Sequence, residues 1–319
     1  MTLAEQTSAL EQFGYTAREA SFLVTAALHS GYFLTRQFSL DRGKVAVQFR
    51  RKILFYGHGT ATTHANGTRL IHLSAKPIYA ALGQEDNRHR RPHEPARVRT
   101  KVMCLDYVLE HPGHRFLPTE QGKLGYFCGE RNIPENLLPS KTYAGEGGNT
   151  KRFFVEKFPI RINPETRRVA FCYVDNGVFV AADFSTWLKQ YAPLIRAVGD
   201  AEVVYVAPGS GAFAPALRDF SLEFTTCGNG ASGDLLKYFE MRRDFESAGV
   251  RGRPLAALDT MKRLRKTFAE PRFQEQYAAW CVAAQANMQR TEAQSGPAFS
   301  TFELRHEYRI FGTVRKANS

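Results

Sequence analysis

The sequence predicts an α+β protein: an N-terminal helical body closed by a β-hairpin, a central α/β unit, and a helical C-terminal region ending in a strand. Three observations carry the prediction. Apolar residues recur at helical spacing as far as Phe55, two β-rich runs then flank Ala65-Asn66-Gly67, and strand-like and helix-like segments alternate between residues 150 and 225. At 319 residues, 43% hydrophobic and 12% aromatic, the chain has apolar mass for two or three packed domains, which excludes a disordered protein. The expected divisions are 10–130, 150–225 and 230–319, with a boundary inside the Pro-, Gly- and Asn-rich stretch 132–149.

Thr16-Ala-Arg-Glu19 is a capping box that opens a first helix, with Ala20, Phe22, Leu23, Ala27 and Leu28 as its apolar stripe and an end near Gly31. Residues 35–38 fit a short second helix. Across 41–56, Val45, Phe49 and Ile53 fall at i, i+4 and i+8, so a third helix should bury these and Phe55 while exposing Lys44, Gln48, Arg51 and Lys52. Residues 59–74 read as a hairpin, because Asn66-Gly67 suits the positive φ values of a type I′ turn. Arg69 lies beside that tip.

The net charge is +12 and the pI about 9.6, which favours an anionic partner, either nucleic acid or an anionic membrane surface. Thirteen Lys and Arg against three acids fall between positions 42 and 101, so the excess is concentrated. Helix, short helix, basic helix and hairpin, in that order, compose a winged helix-turn-helix, whose third helix enters a major groove about 12 Å wide. The bland alternative is a solvated cationic helix face. Five cysteines, at 104, 128, 172, 227 and 281, are odd in number and never spaced Cys-x-x-Cys, so no disulfide framework or zinc knuckle is suggested. Without a long apolar run, the expectation is a soluble, cytoplasmic, nucleoid-associated protein with no membrane partner and no cofactor.

Residues 74–83 form a short helix stopped by Gly83. The proline-bounded loop 84–95 carries Arg88, Arg90 and Arg91, which suit auxiliary phosphate contacts; the same loop reads equally as an exposed linker. Residues 97–111 read as a helix with Val98, Val102, Leu105, Tyr107 and Leu109 inward, and Thr119 caps a further helix reaching Tyr126. In the central unit, 151–162 and 168–175 flank a turn as an antiparallel pair, 183–198 is an amphipathic helix, and 202–207 is a buried strand. Gly209-Ser-Gly-Ala is a turn into a helix, or a small anion cradle. Helices are expected over 234–247, 254–268 and 273–288, with Lys262 to Lys266 either a second DNA contact or a solvated face. Residues 302–311 alternate as an edge strand, completing a sheet in this chain or in a twofold mate.

Tyr15-Thr-Ala-Arg-Glu-Ala followed by Gly31-Tyr-Phe-Leu-Thr-Arg-Gln-Phe resembles winged-helix proteins of plasmids and integrated mobile elements, of the replication-relaxation or MarR-like kind. The middle unit is similar to the degenerate restriction-endonuclease-like domain that follows such a winged helix. The resemblance spans roughly residues 10–225 and rests on residue types and their order. It implies sequence-specific or origin-associated DNA binding, not a reaction. The nuclease fold holds Mg²⁺ with an Asp and the acid of an (Asp/Glu)-x-Lys motif, yet no lysine here has an acid two positions before it. Asp175, Asp183 and Glu202 lie near expected strand ends without that lysine, so the middle unit is expected to be scaffold or dimerisation surface.

The expected function is sequence-specific binding of double-stranded DNA by a homodimer, as a transcriptional regulator or a replication or mobilisation accessory of a mobile element. The expected contacts are Lys44, Gln48, Arg50, Arg51, Lys52, Arg69, Arg88, Arg90 and Arg91. The alternative is a metal-dependent nuclease or relaxase accessory acting at an origin. No catalytic residue and no metal ligand is assigned.

Overall fold

In the computed structural model the first two helices, α1 (Leu3–Glu11) and α2 (Ala17–His29), each start at a reciprocal cap, Thr2 with Glu5 and Thr16 with Glu19. The structure describes residues 1–38, 44–144, 148–177, 181–224, 233–248, 255–271, 273, 274, 277, 278, 281, 297–306 and 308. After α2 come β1 (Tyr32–Leu34), α3 (Thr35–Phe38), α4 (Lys44–Phe55), β2 (Gly59–Thr63) and β3 (Arg69–Leu73). The three strands form an antiparallel sheet in the order β1-β3-β2. The expected first turn of the third helix, from residue 41, lies outside the described residues.

The hairpin tip is not the type I′ turn that Asn66-Gly67 suggests. Gly67 alone takes the left-handed conformation, φ 77°, and its amide donates to the His64 carbonyl at 2.8 Å. That is a three-residue loop, a type I turn closed by a left-handed glycine. The Asn66 side chain accepts the Thr68 amide at 3.0 Å, which holds Asn66 out of the left-handed region.

Gly31 turns the chain from α2 into β1 with φ 76°, and a Cβ there would sit 2.6 Å from the His89 carbonyl oxygen. Gly31→Ala is therefore expected to cost about 2 kcal/mol or more, because strain and overlap add. Urea unfolding checks this through a lowered midpoint at unchanged slope.

α5 (Lys76–Ala81) and a 3₁₀ turn at Arg88–Arg90 lead to α6 (Pro95–Leu109). Leu105 of α6 joins the core built by α2, α4 and β3, while Val98, Val102, Met103, Cys104 and Tyr107 pack into a second core with the next sheet. A helix clasped from two sides needs apolar residues around most of its circumference, which explains its weak amphipathic pattern. From the same helix buried Asp106 accepts hydrogen bonds from both terminal guanidinium nitrogens of Arg36, at 2.8 and 2.7 Å, and from the Tyr308 hydroxyl at 2.5 Å.

Then follow β4 (Arg115–Phe116), α7 (Glu120–Leu124), β5 (Ser140–Tyr143), β6 (Thr150–Phe153), β7 (Ile160–Ile162), β8 (Val169–Val174), α8 (Ala181–Val198), β9 (Ala201–Ala207) and α9 (Phe213–Phe224). Strand β10 (Ala298–Glu303) completes a five-stranded sheet in the order β10-β9-β8-β7-β4. β8, β9 and β10 run parallel, with α8 connecting the first two, and β7 and β4 run antiparallel to their neighbours. Residues 151–153 do not extend β7 as expected; they pair with 140–142 in a separate ribbon. The terminal strand begins before residue 302 because Phe299 and Phe302 register against β9, and residues 309–311 lie outside the described set.

The fold is α+β. The chain divides into two compact units, Met1–Leu217 with Pro297–Ser319, and Arg218–Gly296. Residues 10–130 and 150–217 thus share one unit, since α6 is common to both of its cores. The second unit contains α10 (Gly233–Ala248) and α11 (Leu255–Thr267), packed through Tyr238, Phe239, Leu264, Phe268 and Tyr277. Most of the helix expected over 273–288 lies outside the described residues. Among the described residues no helix is long and apolar enough to cross a membrane.

Candidate nucleic-acid interface

α4 is fixed by Phe49, whose ring centroid lies 4.0 Å from that of Phe38 and 6.0 Å from those of Phe22 and Phe33. Its buried stripe is Ala46, Phe49 and Ile53, at i, i+3 and i+7. This corrects the expected face, because Val45 is 53% exposed and Phe55 85% exposed. The helix is rotated so that small Ala46, not Val45, faces the core.

The rotation sets the outward stripe. Lys44, Gln48, Arg51 and Phe55 are all exposed and follow one another at i, i+4, i+7 and i+11, a line about 16 Å long at 1.5 Å per residue. Lys52, expected on this face, turns inward instead. Its Nζ lies 2.6 Å from the Glu19 carboxylate and donates to the Gly14 carbonyl at 3.1 Å. Burial alone would push the Glu19 carboxyl up, but hydrogen bonds from Lys52 and the Thr16 cap prevail and hold it below the usual carboxylate range.

Lys52→Met is expected to cost about 1–3 kcal/mol at neutral pH, because it leaves Glu19 a charged, buried acceptor short of a partner. A carboxyl whose folded pKa is depressed contributes stability above its unfolded pKa and loses it as pH falls through the folded one. The gap between wild type and variant should therefore close below about pH 4, and thermal unfolding at pH 7 and pH 3 checks it.

Arg50 is half-buried, and its Nη1 is buried without a hydrogen-bond partner. Burial, then repulsion from Arg69 and Arg51, lowers its pKa. Ion pairs elsewhere use Arg36, Arg115, Arg152, Arg161, Arg168 and Arg242. Lys44, Arg50, Arg51 and Arg69 enter none among the described residues.

The loop arginines divide differently from expectation. Arg90 donates to the carbonyls of Glu85 at 2.8 Å and Ser74 at 3.4 Å, so its guanidinium holds the loop together and is not an open phosphate contact. Neighbouring His89 is buried, and its carbonyl meets the His72 ring at 3.1 Å, which ties the turn to β3 and excludes a loose linker. Arg88 lines a cavity, and Arg91 remains exposed. The sequence reading missed the apolar end of the α4 stripe, where Leu54, Phe55 and Tyr56 are all exposed. The signal was the run Ile53-Leu-Phe-Tyr, in which a single position faces the core.

The two carboxylates of the nuclease alternative do not converge. Asp175, just past β8, accepts from Tyr205 at 2.6 Å and its amide donates to the Val206 carbonyl. Glu202 lies four residues earlier on β9, about 13 Å along the strand, and accepts from Arg161 and Ser300. Among the described residues no three His, Cys, Asp or Glu side chains are grouped to hold a metal ion. Comparison with protein-family models, curated proteins and solved structures finds no match to this chain.

Proposed function

We propose that the chain binds double-stranded DNA, with α4 as the recognition helix of a winged helix-turn-helix and the β2–β3 hairpin as its wing. The order helix, strand, short helix, helix, hairpin, with strands arranged β1-β3-β2, supports this reading. The observation that carries it is the set of cations Lys44, Arg50, Arg51 and Arg69 on and beside an exposed helix face, which enter no ion pair among the described residues. Crowding like charges costs stability unless an anion offsets them, and a phosphate backbone supplies that anion along a line. Gln48 and Arg51 have the side chains that read base edges, since Gln pairs with adenine and Arg with guanine.

Selection of bound fragments from randomised duplex, followed by footprinting, tests the proposal. A protected site reading through the major groove supports it. Equal retention of all fragments, with no protected site, contradicts sequence-specific binding.

A further inference from the structure

The first unit contains a cavity of about 1310 Å³, away from the α4 stripe, between the end of α2, the 84–97 loop, α6, α7, the 152–158 segment and α8. Its lining includes the ammonium groups of Lys101, Lys123 and Lys157 and the rings of Phe154, Tyr173 and Trp187. Lys123 is 2% exposed, yet its Nζ makes one long hydrogen bond, 3.4 Å to the Phe158 carbonyl, and stands 5.3 Å from the centre of the Phe154 ring. Lys101 donates to the Ser30 carbonyl at 3.1 Å and to His89 Nδ1, and Lys157 to Asn87 Oδ1 at 3.2 Å. Among the described residues none of the three has a carboxylate partner.

Six acids also line the cavity, Glu85, Asp86, Glu94, Glu120, Glu156 and Asp183, and two of those nearest the lysines are held by other groups as well. Glu120 takes the Phe153 amide at 2.9 Å and lies 4.0 Å from Arg152, and Glu156 lies 3.2 Å from Lys141. A buried ammonium is ordinarily paired, and here buried Lys123 and half-buried Lys101, together with the exposed Lys157, give the cavity a cationic wall. Burial, with added repulsion from Lys157, pushes both Lys101 and Lys123 down to about 7.

We propose that this cavity binds a phosphate-bearing small molecule of nucleotide type, with its phosphate oxygens on Lys101, Lys123 and Lys157 and its base against Tyr173 and Trp187. Phosphate supplies several acceptors to several ammonium donors at once, which a single carboxylate does not. Tyr173 and Trp187 form part of the cavity wall with ring centroids 5.5 Å apart, and an aromatic surface accepts any nucleobase. The volume exceeds what a lone phosphate needs and matches a larger ligand.

Isothermal titration of the full chain with ATP, pyrophosphate and adenosine at constant ionic strength tests the proposal, using wild type, Lys101→Met, Lys123→Met and Lys44→Glu/Arg51→Glu. The expected result is saturable one-site binding of ATP, weaker for pyrophosphate and weakest for adenosine, falling at least ten-fold in each Met variant. Lys123→Met should also show a raised thermal midpoint without ligand, since it removes a poorly compensated buried cation, so its lost binding would not reflect lost folding. Absence of saturable ATP binding by wild type, or unchanged affinity in both Met variants, overturns the proposal. So does ATP binding that disappears only in Lys44→Glu/Arg51→Glu, which would place the nucleotide on α4.

Discussion

Lys44→Glu combined with Arg51→Glu is expected to weaken duplex binding at least 100-fold near 0.15 M salt. Each cation lost removes a phosphate or base contact, and each Glu adds repulsion, so about 3 kcal/mol in total is a modest expectation, at about 1.4 kcal/mol per ten-fold. Both side chains are exposed and neither enters an ion pair among the described residues, so folding should change by less than about 0.5 kcal/mol. Fluorescence anisotropy with a labelled duplex measures the first effect, and thermal unfolding the second. Lys52 gives the opposite pattern, since its ammonium is committed to Glu19 and Gly14.

Arg36→Met is expected to be the most destabilising single change considered, at about 3–5 kcal/mol. It removes two charge-assisted hydrogen bonds and leaves Asp106, 3% exposed, as a buried carboxylate with the Tyr308 hydroxyl as its remaining side-chain donor. The loss reaches beyond one pair, because Arg36 is on α3, Asp106 on α6 and Tyr308 on the segment after β10. Arg36→Met with Asp106→Leu should recover most of the loss, as replacing both charges removes the stranded one. Urea unfolding of the two variants checks this. A cost below about 1 kcal/mol for the single change would show that the network does not hold these elements together.

Much of the N-terminal body was legible in the sequence because local chemistry sets it. Thr16 and Glu19 mark the start of α2, and residues 35–38 form the short helix that their position after Gly31 suggested. Thr2 and Glu5 carry the same signal at the start of α1, a threonine three residues before a glutamate. The face of α4 was misassigned because Val45 and Ala46 are both apolar, and tertiary packing with Phe22, Phe38 and Phe33 chose the smaller. The inward turn of Lys52 needed Glu19, thirty-three positions away, which no local pattern reports. The division into units was hidden for a related reason: α6 serves two cores, so a Pro- and Gly-rich stretch after it looked like a boundary while the contacts crossed it. Lys101, Lys123 and Lys157 lie on a helix, a short helix and a loop, and only the fold brings them to one cavity.

The salt dependence of duplex affinity tests the central claim most directly. With four cations that enter no ion pair among the described residues, log K against log salt should fall with a slope of about −3 to −4 in wild type, and flatten by about 2 in Lys44→Glu/Arg51→Glu. An identical slope in the folded double variant, or no duplex binding by wild type at about 0.05 M salt, would contradict the assignment of DNA binding to α4.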